Sequence, residues 1–497
     1  MHFYIHIKLT KMPTSTINKV NIRLYRAGTG DCFLLQFKAG NTVKCKMMID
    51  CGCIQGARGD FEPWLKDIKK ETGGKIDILV VTHQHADHIN GFNACSDLFD
   101  KITFKKVWFA WTEDESDAFA NDLRQNHSKT SMAIQAATTK LQGLVKNKFF
   151  NSLYKDEVGS EFMVKGQEHF VNVVSNLNSL NTNNVLGANG KIPSMVALFK
   201  DFKVIKPNTK VEFFNPGDLM KDLSELPGMR IFVLGPPRDT DKLDIESAKG
   251  ENFDKREKPS KKDAAFAAAV LGNSDGTDLL PFETIYELNE KKSPLKDAYL
   301  DAKDKWRTID TDWLLSSGSM ALRYEGSINN TSLALAFQFI GSERVLLFPA
   351  DAEVGNWTSW HEGLSWTIKI NGVNKKVNAE YILNNTVFYK IGHHCSQNGS
   401  ASRLGVNMMT SDDLTAMAPL NFKRIQPNWL NTMPNDILCA TLIDKTKGKL
   451  YFSGNKDELM KNIKTKRVTI KKSHEDVLNK LNDDFDGEIF VECEIKG

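Results

Sequence analysis

Long apolar runs are missing from this 497-residue sequence. A helix that spans a bilayer needs ~20 consecutive, mostly apolar residues, and no segment reaches that length. The first residues also lack the apolar stretch and the small-residue cleavage site of a signal peptide. From these absences we expect a protein that is not secreted, makes no contact with a membrane and lies in the cytoplasm.

Cysteine is scarce, and the charges nearly balance. Eight cysteines in 497 residues are too few for a disulfide scaffold. Cys51 and Cys53 stand closer together than the Cys-x-x-Cys pair of a zinc knuckle, so we interpret them as buried reduced thiols. The formal net charge of +3 excludes a polybasic nucleic-acid-binding arm, although it is compatible with a local basic groove.

Two common catalytic motifs are also absent. The glycine-rich turn at residues 28–31 is not followed by the Gly-Lys-Ser/Thr that completes a phosphate-binding loop. No Gly-x-Ser-x-Gly occurs, which argues against a serine hydrolase. Nucleotide hydrolysis on a phosphate loop and acyl transfer through a serine elbow are therefore disfavoured.

Apolar runs typical of strands occur in three blocks, separated by stretches with helical or charged character. Residues 76–81 form a continuous apolar run, as in a strand buried on both faces. Residues 61–71 have apolar side chains at helical spacing and end before Gly73 and Gly74. These patterns predict an α/β fold in which two sheets pack together with helices outside, interrupted by two large helical insertions.

The same patterns predict the domain organisation. We expect a first half of the core at residues 20–112, a helical insertion at 113–205, strands that rejoin the core at 206–239, a charged helical insertion at 240–320, a second half of the core at 321–410 and a C-terminal α/β extension at 411–497.

The strongest chemical signal is a cluster of imidazoles and a carboxylate directly after the strand at residues 76–81. His83, His85, Asp87 and His88 lie within six residues, and burying such groups without a partner is unfavourable. Zinc and manganese bind this mixture of nitrogen and oxygen ligands. Because neighbouring residues of a loop can face opposite ways, His83 and His85 can bind one metal ion while Asp87 and His88 bind a second. The pattern predicts a centre with two divalent ions.

The order of the motifs resembles the metallo-β-lactamase superfamily, and within it the soluble domain of ComEC-like DNA-uptake hydrolases. The resemblance is carried by Gly30-Asp31-Cys32-Phe33, Asp50-Cys51-Gly52, the histidine cluster followed by Gly91, Asn330-Thr331-Ser332-Leu333, Ala350-Asp351 and His393-His394-Cys395-Ser396. It spans residues 20–400 and does not cover the insertions or the last hundred residues. It implies an αββα sandwich.

The resemblance also implies a role for each matching residue. Asp351 would bridge the two metal ions. One of His393 and His394 would bind the second ion; we favour His394 as this ligand and His393 as the residue that faces the substrate and assists the leaving oxygen. Asp87, as a ligand, and His393 are the predicted catalytic residues. Asp50 would support the metal-binding loop through hydrogen bonds.

Two features depart from the family pattern. The Gly-Ser that usually follows the paired histidines is Cys395-Ser396 here. Many members also supply a third histidine to the first metal ion from the middle of the chain. His127, His169 and His361 lack a strand-end setting, and His127 is predicted to be exposed on a helix. From this departure we expect a weakly held first ion, with manganese as the alternative to zinc.

Other residues are candidates for contacts with the substrate. Arg238, in the Gly-Pro-Pro-Arg-Asp turn, could grip a phosphate or remain an outward side chain. Lys390, just before the paired histidines, could attract an anion or be a solvated strand-end lysine. Five tryptophans could stack on a base, but core packing is the favoured interpretation; they are Trp108, Trp111, Trp357, Trp360 and Trp366.

The favoured function is hydrolysis of a phosphodiester, with nucleic acid as a candidate substrate, by water that two zinc or manganese ions activate. The same centre can hydrolyse lactones, β-lactams or thioesters, because a fold alone does not choose a substrate. A third hypothesis is a subunit of a bacterial defence assembly whose insertions bind a partner protein.

Overall fold

The computed structural model describes residues 16–26, 28–146, 193–245, 248, 250–253, 324–421, 433–454, 456–465, 468–482 and 488–497. Large parts of both predicted insertions, and His169 with them, lie outside these residues. The boundaries of the predicted domains stay a prediction.

Strands of the described chain form two seven-stranded sheets and one hairpin. They are β1 Lys19–Tyr25, β2 Phe33–Ala39, β3 Thr42–Ile49, β4 Lys75–Val80, β5 Thr103–Ala110, β6 Lys210–Phe214, β7 Leu219–Met220, β8 Met229–Val233, β9 Leu335–Phe339, β10 Val345–Phe348, β11 Trp366–Ile370, β12 Val373–Val377, β13 Thr386–Lys390, β14 Thr415–Ala418, β15 Leu450–Phe452 and β16 Phe490–Lys496. The first sheet has the order β16-β1-β2-β3-β4-β5-β6, and the second has the order β15-β14-β13-β10-β9-β8-β7.

Besides a helical segment at residues 324–330, eleven α-helices have defined bounds in the described chain. They are α1 Arg58–Thr72, α2 Ala86–Ala94, α3 Ser96–Phe99, α4 Ala118–Lys146, α5 Met195–Asp201, α6 Thr240–Leu243, α7 Val354–His361, α8 Ala379–Asn384, α9 Asp436–Lys445, α10 Asp457–Thr465 and α11 Lys472–Asn482. None of these helices combines the length and the apolar character that a membrane span requires.

A single apolar layer joins the two sheets. Alternate residues of β1, such as Ile22 and Leu24, share this layer with Leu335 and Phe337 of β9, since successive strand residues point to opposite faces. Strand β4 is apolar on both faces because its other side is also covered: Ile78 enters the layer between the sheets, and its neighbours pack towards the helices.

Two further apolar layers attach the helices to the sheets. Helices α1, α2, α3 and α5 pack on the first sheet, while α7 to α11 pack on the second. The result is the predicted αββα sandwich. The five tryptophans are at most 4% exposed, so the interpretation as core residues is confirmed. Four belong to these layers, and Trp111 lies in a small separate apolar cluster with residues of α4 and α6.

The last part of the chain completes both sheets. Strands β14 and β15 extend the second sheet by parallel pairing. Strand β16 runs antiparallel to β1, with Lys496 opposite Lys19. The final strand therefore covers the edge of the first strand, which would otherwise expose unpaired backbone groups.

Candidate metal centre

The histidine cluster lies on a short buried connection between β4 and α2. His83 and His85 follow the end of the strand, and α2 begins at Ala86, which places Asp87 and His88 in its first turn. Asp50, at the end of the neighbouring β3, accepts hydrogen bonds from the Thr82 backbone N–H (2.9 Å) and hydroxyl (2.6 Å). Parallel strands that end side by side thus hold the loop in place.

Three distant segments bring four ligand groups together. Suitable atoms of Asp87, His88, Asp351 and His394 all lie within 4.8 Å of one another. His394 Nε2 is 2.8 Å from Asp87 Oδ2 and 3.3 Å from Asp351 Oδ2. His88 Nε2 is 3.1 Å from the same Asp351 oxygen. Asp351 follows β10 and His394 follows β13, so the second sheet supplies these two ligands.

His83 and His85 form a second pair of nitrogen ligands beside this group. His83 Nε2 lies 3.1 Å from His85 Nδ1, and the His83 ring centroid is 4.1 Å from that of His88. Two lone pairs at this separation can converge on one cation. The division in which His83 and His85 bind one ion while Asp87 and His88 bind the other stays a prediction.

Buried atoms without hydrogen-bond partners show that a cation fits this centre. Asp87 Oδ1, His85 Nε2 and His88 Nε2 lie among the described buried polar atoms that have no such partner. Buried polar groups are nearly always satisfied, and an exception calls for an explanation. A divalent ion explains the convergence of the His88, Asp87 and Asp351 atoms, because imidazole and carboxylate are ligands of zinc and manganese.

The electrostatics of the group are those of tightly coupled opposite charges. Burial works to raise the pKa of Asp87, but His88 and His394 outweigh it and lower the value to about 2. Burial likewise works against the charged form of His394, yet Asp351 and Asp87 raise its pKa to about 9. Burial lowers the pKa of His85 to about 4. The carboxylate of Asp87 is therefore charged and can bind a cation. An imidazole whose pKa is raised, such as that of His394, must lose a proton before it can bind the same cation.

Hydrogen bonds behind the centre orient its imidazoles. Asp50 Oδ2 lies 2.8 Å from His88 Nδ1, and the Pro419 carbonyl lies 3.0 Å from His394 Nδ1. A carbonyl only accepts, so Nδ1 of His394 carries the proton and Nε2 is left as the ligand atom. The contact of Asp50 is the supporting one that the sequence predicts.

The paired histidines occupy an unusual backbone. His393, His394 and Cys395 have φ angles of 42°, 48° and 68°, in the left-handed region that side chains rarely adopt. The His393 N–H donates to Asp351 Oδ1 (3.1 Å), and the Cys395 carbonyl accepts from the Asn435 N–H (2.8 Å). These contacts hold a strained loop, as is common at functional sites.

His393 lies outside the ligand group. Its Nδ1 is 2.9 Å from Ser396 Oγ and 3.4 Å from Glu353 Oε1, and its Nε2 is 3.5 Å from Asn329 Nδ2. Burial lowers the pKa of its ring to about 4. His394 therefore belongs to the group that could hold a metal ion, whereas His393 lies beside it; their roles as ligand and substrate-facing residue stay a prediction.

Lys390 differs from both interpretations made from the sequence. Its side chain is only 1% exposed, and its ammonium donates to Asp31 Oδ2 (2.6 Å), Asp351 Oδ1 (2.9 Å) and the Ala350 carbonyl (2.9 Å). Burial works to lower its pKa, but Asp31 and Asp351 raise it. Because all three N–H groups are used inside the protein, the lysine offers none to a substrate.

Arg238 is also engaged within the protein. Its guanidinium donates to Asn215 (2.7 Å) and Asp117 (2.6 Å) and lies 4.4 Å from the ring centroid of Trp111. The side chain is 40% exposed, so it remains a surface residue, but the structure does not place it in the ligand group. Its contact with a substrate stays a prediction.

The two middle histidines that the structure describes, His127 and His361, lie outside the ligand group. The prediction that His127 is exposed is wrong, because its side chain is 7% exposed and lies between Ser327 (Nε2–Oγ 3.2 Å) and the ring of Tyr324. Helical spacing alone did not reveal that the segment before β9 covers this face of α4. His361 Nε2 lies 2.8 Å from the Leu404 carbonyl, away from the ligand group.

Asn329, Glu353 and Asp31 were not assigned roles from the sequence. Asn329 is fully buried and donates from Nδ2 to Glu353 Oε1 (2.9 Å). Asp31 is held by Lys390. A possible signal was the run of polar residues just before the apolar strand β9, since asparagines beside a buried strand need partners.

Part of the chain matches a known protein family. Residues 25–107 match the family model of the metallo-beta-lactamase superfamily. This segment runs from the end of β1 into β5 and includes His83, His85, Asp87 and His88. No curated protein matches the chain. The matched segment and the buried histidine–aspartate group both indicate a site that could bind metal ions. The observed αββα sandwich is consistent with the matched family model.

Proposed function

We propose that this protein is a metal-dependent hydrolase that cleaves phosphodiesters. One observation carries the proposal: ligand atoms of Asp87, His88, Asp351 and His394 converge within 4.8 Å, from loops that end strands of both sheets. The match of residues 25–107 to a superfamily composed mostly of hydrolases supports the enzymatic class. The likeness to ComEC-like domains, which rests on sequence motifs, supports the choice of a diester.

In this proposal the candidate ligands divide between two cation positions. His83 and His85 would hold one ion, Asp87, His88 and His394 would hold the other, and Asp351 would lie between them. When bound, such a pair of ions supplies Lewis acidity and activates water. A pair of cations suits a diester, since two ions can stabilise both the attacking and the leaving oxygen of an in-line displacement.

The chain itself would orient the substrate and steady its charge. His393 lies beside the ligands, and its Nδ1 is occupied by Ser396. Because burial lowers the pKa of the ring, the neutral imidazole would face the substrate and steady the charge on the leaving oxygen with a hydrogen bond. The His393 N–H also holds Asp351 Oδ1, so the residue couples the substrate side of the centre to the bridging carboxylate.

The decisive experiment uses the full chain, stripped of metal and reloaded with Zn²⁺ or Mn²⁺. We expect hydrolysis of bis-p-nitrophenyl phosphate by the reloaded protein and a loss of at least about 100-fold in Asp351→Asn and Asp87→Asn, because each removes a ligand charge. His361→Gln is the matched control, since that histidine contacts a backbone carbonyl away from the centre.

The same preparations are tested on lactones and β-lactams. Activity on these compounds without activity on the diester would favour the alternative hydrolase and contradict the proposal. A partner protein bound through the insertions stays a prediction, because large parts of the insertions lie outside the described residues.

A further inference from the structure

We propose that the buried ammonium of Lys390 takes the place of a third divalent cation beside the two-metal centre. The inference rests on the proposed function, because it presumes that the neighbouring ligands hold metal ions. It gives Lys390 a positioning role that acts through Asp351 and Asp31.

Three oxygens surround the Lys390 nitrogen as they would surround a metal ion. Asp31 Oδ2 lies at 2.6 Å, Asp351 Oδ1 at 2.9 Å and the Ala350 carbonyl at 2.9 Å. Ala350 has a φ of 55°, an uncommon left-handed backbone. Two carboxylates and a carbonyl are the oxygen ligands that hard cations such as Mn²⁺ accept.

The two oxygens of Asp351 have separate partners. Oδ1 accepts from Lys390 and from the His393 N–H (3.1 Å). Oδ2 faces His88 Nε2 (3.1 Å) and His394 Nε2 (3.3 Å). The lysine therefore holds one oxygen away from the metal side, so that the other is the oxygen left for the ions.

The surrounding carboxylates explain why a cation is needed here. Asp31, Asp50 and His88 form a second group whose ligand atoms lie within 4.8 Å of one another. Asp50 contacts Thr82 and His88, whereas Asp31 forms an ion pair with the Lys390 ammonium. Leaving a buried carboxylate without a counter-charge is strongly unfavourable, and a lysine supplies that charge without depending on metal supply.

The inference makes a prediction about the number of bound ions. In Lys390→Ala, the three oxygens lose their ammonium and gain space. We expect this variant to bind three Mn²⁺ per chain at millimolar concentration, where the unsubstituted chain binds two. Equilibrium dialysis followed by metal analysis counts the ions without reference to activity. Lys390→Met fills the space without a charge, so it should bind no third ion.

Two further variants serve as controls. The double variant Asp31→Asn, Lys390→Ala also removes the charge of one of the two carboxylates. We therefore expect the number of bound ions to return to two. Lys445→Ala is the matched control, because its ammonium also donates to backbone carbonyls, those of Asn407 and Met409, but lies away from the centre, so its removal should leave the count at two.

The outcomes separate this inference from the proposed function. A folded Lys390→Ala that still binds the same number of ions as the unsubstituted chain would overturn the inference. Should Lys390→Ala fold only in millimolar Mn²⁺, the ion has replaced the ammonium, as proposed. If Lys390→Ala does not fold even in millimolar Mn²⁺, and the double variant with Asp31→Asn does not fold either, the inference is overturned. An unsubstituted chain that binds no metal would contradict the proposed function itself.

Discussion

Asp50 is a residue that shapes the centre without belonging to the main ligand group. Its carboxylate fixes His88 through Nδ1 (2.8 Å) and fixes the loop through Thr82. Burial raises the pKa of Asp50, against the effect of His88, so the contact with the imidazole is what favours its charged form. Such supporting carboxylates make the imidazole a better ligand.

We expect Asp50→Asn to weaken metal binding by about 10–100-fold, the usual effect of losing a carboxylate behind a ligand histidine. Calorimetric titration of the metal-free protein with Zn²⁺ measures the change. Asp67→Asn is the control, because Asp67 accepts from Arg23 and Tyr25 rather than from a ligand histidine. Equal affinity in Asp50→Asn and the unsubstituted chain would refute the supporting role.

His127 gives a prediction about pH. Burial lowers its pKa from 6.5 to about 4, so the folded chain resists a proton that the unfolded chain accepts. The stability contributed by neutral His127 is present above pH 6.5 and is lost as the pH falls towards 4. At pH 5 the loss from this residue is about 2 kcal/mol.

The comparison variant is His127→Gln, which can still reach Ser327 but does not titrate. We expect its free energy of unfolding to fall less between pH 7.5 and pH 5 than that of the unsubstituted chain, by about 2 kcal/mol. Urea titrations at both pH values provide the measurement. Equal decreases in the free energy of unfolding of the two proteins would contradict this prediction, because they would show that folding does not lower the pKa of His127.

At the residue scale, the sequence indicated the buried histidine–aspartate cluster more clearly than its surroundings. His83, His85, Asp87 and His88 stand out because imidazoles crowded after an apolar strand are costly to bury without partners; their roles as ligands stay a prediction. Lys390 was misjudged for a physical reason: a lysine is ordinarily solvated, and its carboxylate partner Asp31 lies 359 residues earlier in the chain. Such partners become visible only when the sheets are assembled.

Among the elements, the loop after β3 shows how closely two segments approach. A Cβ atom added to Gly52 would lie 2.3 Å from the Asp87 carbonyl carbon and 2.5 Å from the His88 nitrogen. The Cys51 N–H donates to the His88 carbonyl (2.8 Å). The end of β3 and the start of α2 therefore touch through their backbones, and only glycine fits between them.

We expect Gly52→Ala to destabilise the fold by about 1–3 kcal/mol, as overpacking does, and to weaken metal binding because it displaces the first turn of α2. Gly59→Ala is the matched control: no atom lies within 4 Å of its added Cβ, and it lies in α1, where alanine is favoured by about 0.5–1 kcal/mol. Urea unfolding distinguishes them, and similar stabilities would contradict the close approach.

Element types were largely predictable, but pairing was not. The helix expected at residues 61–71 is α1, which begins earlier, at Arg58, and ends before Gly73. The apolar run at residues 76–81 is β4, buried on both faces. The sequence predicts an α/β extension at residues 411–497, but it does not show that β16 pairs with β1, because pairing depends on the fold of everything between them.

For the whole molecule, the metal centre lies where the two sheets meet. His83 follows β4 of the first sheet, whereas Asp351 and His394 follow β10 and β13 of the second. Ions bound by both groups would tie the sheets together. Binding to the folded state alone stabilises it, by about 2.7 kcal/mol when the ion concentration is a hundred times Kd.

Metal loading should therefore raise the temperature of thermal unfolding. We expect an increase of several degrees with Zn²⁺ or Mn²⁺, reversed by a chelator, and a smaller increase in Asp351→Asn. Asp413→Asn is the control, since Asp413 pairs with Arg344 at the surface. Calorimetry measures the shift; an unchanged unfolding temperature on loading would show that the ions do not connect the sheets.

The distance along the chain between the ligands has a consequence for biosynthesis. Asp87 and His394 are 307 residues apart, so at ~5–20 residues per second the ribosome takes roughly 15–60 s to deliver the second after the first. A nascent chain that has exposed only the histidine cluster lacks the groups that complete the ion sites. The first strand meanwhile waits for the final one to cover its edge. Metal capture by the full set of groups would thus wait until the segment that carries His394 has been made.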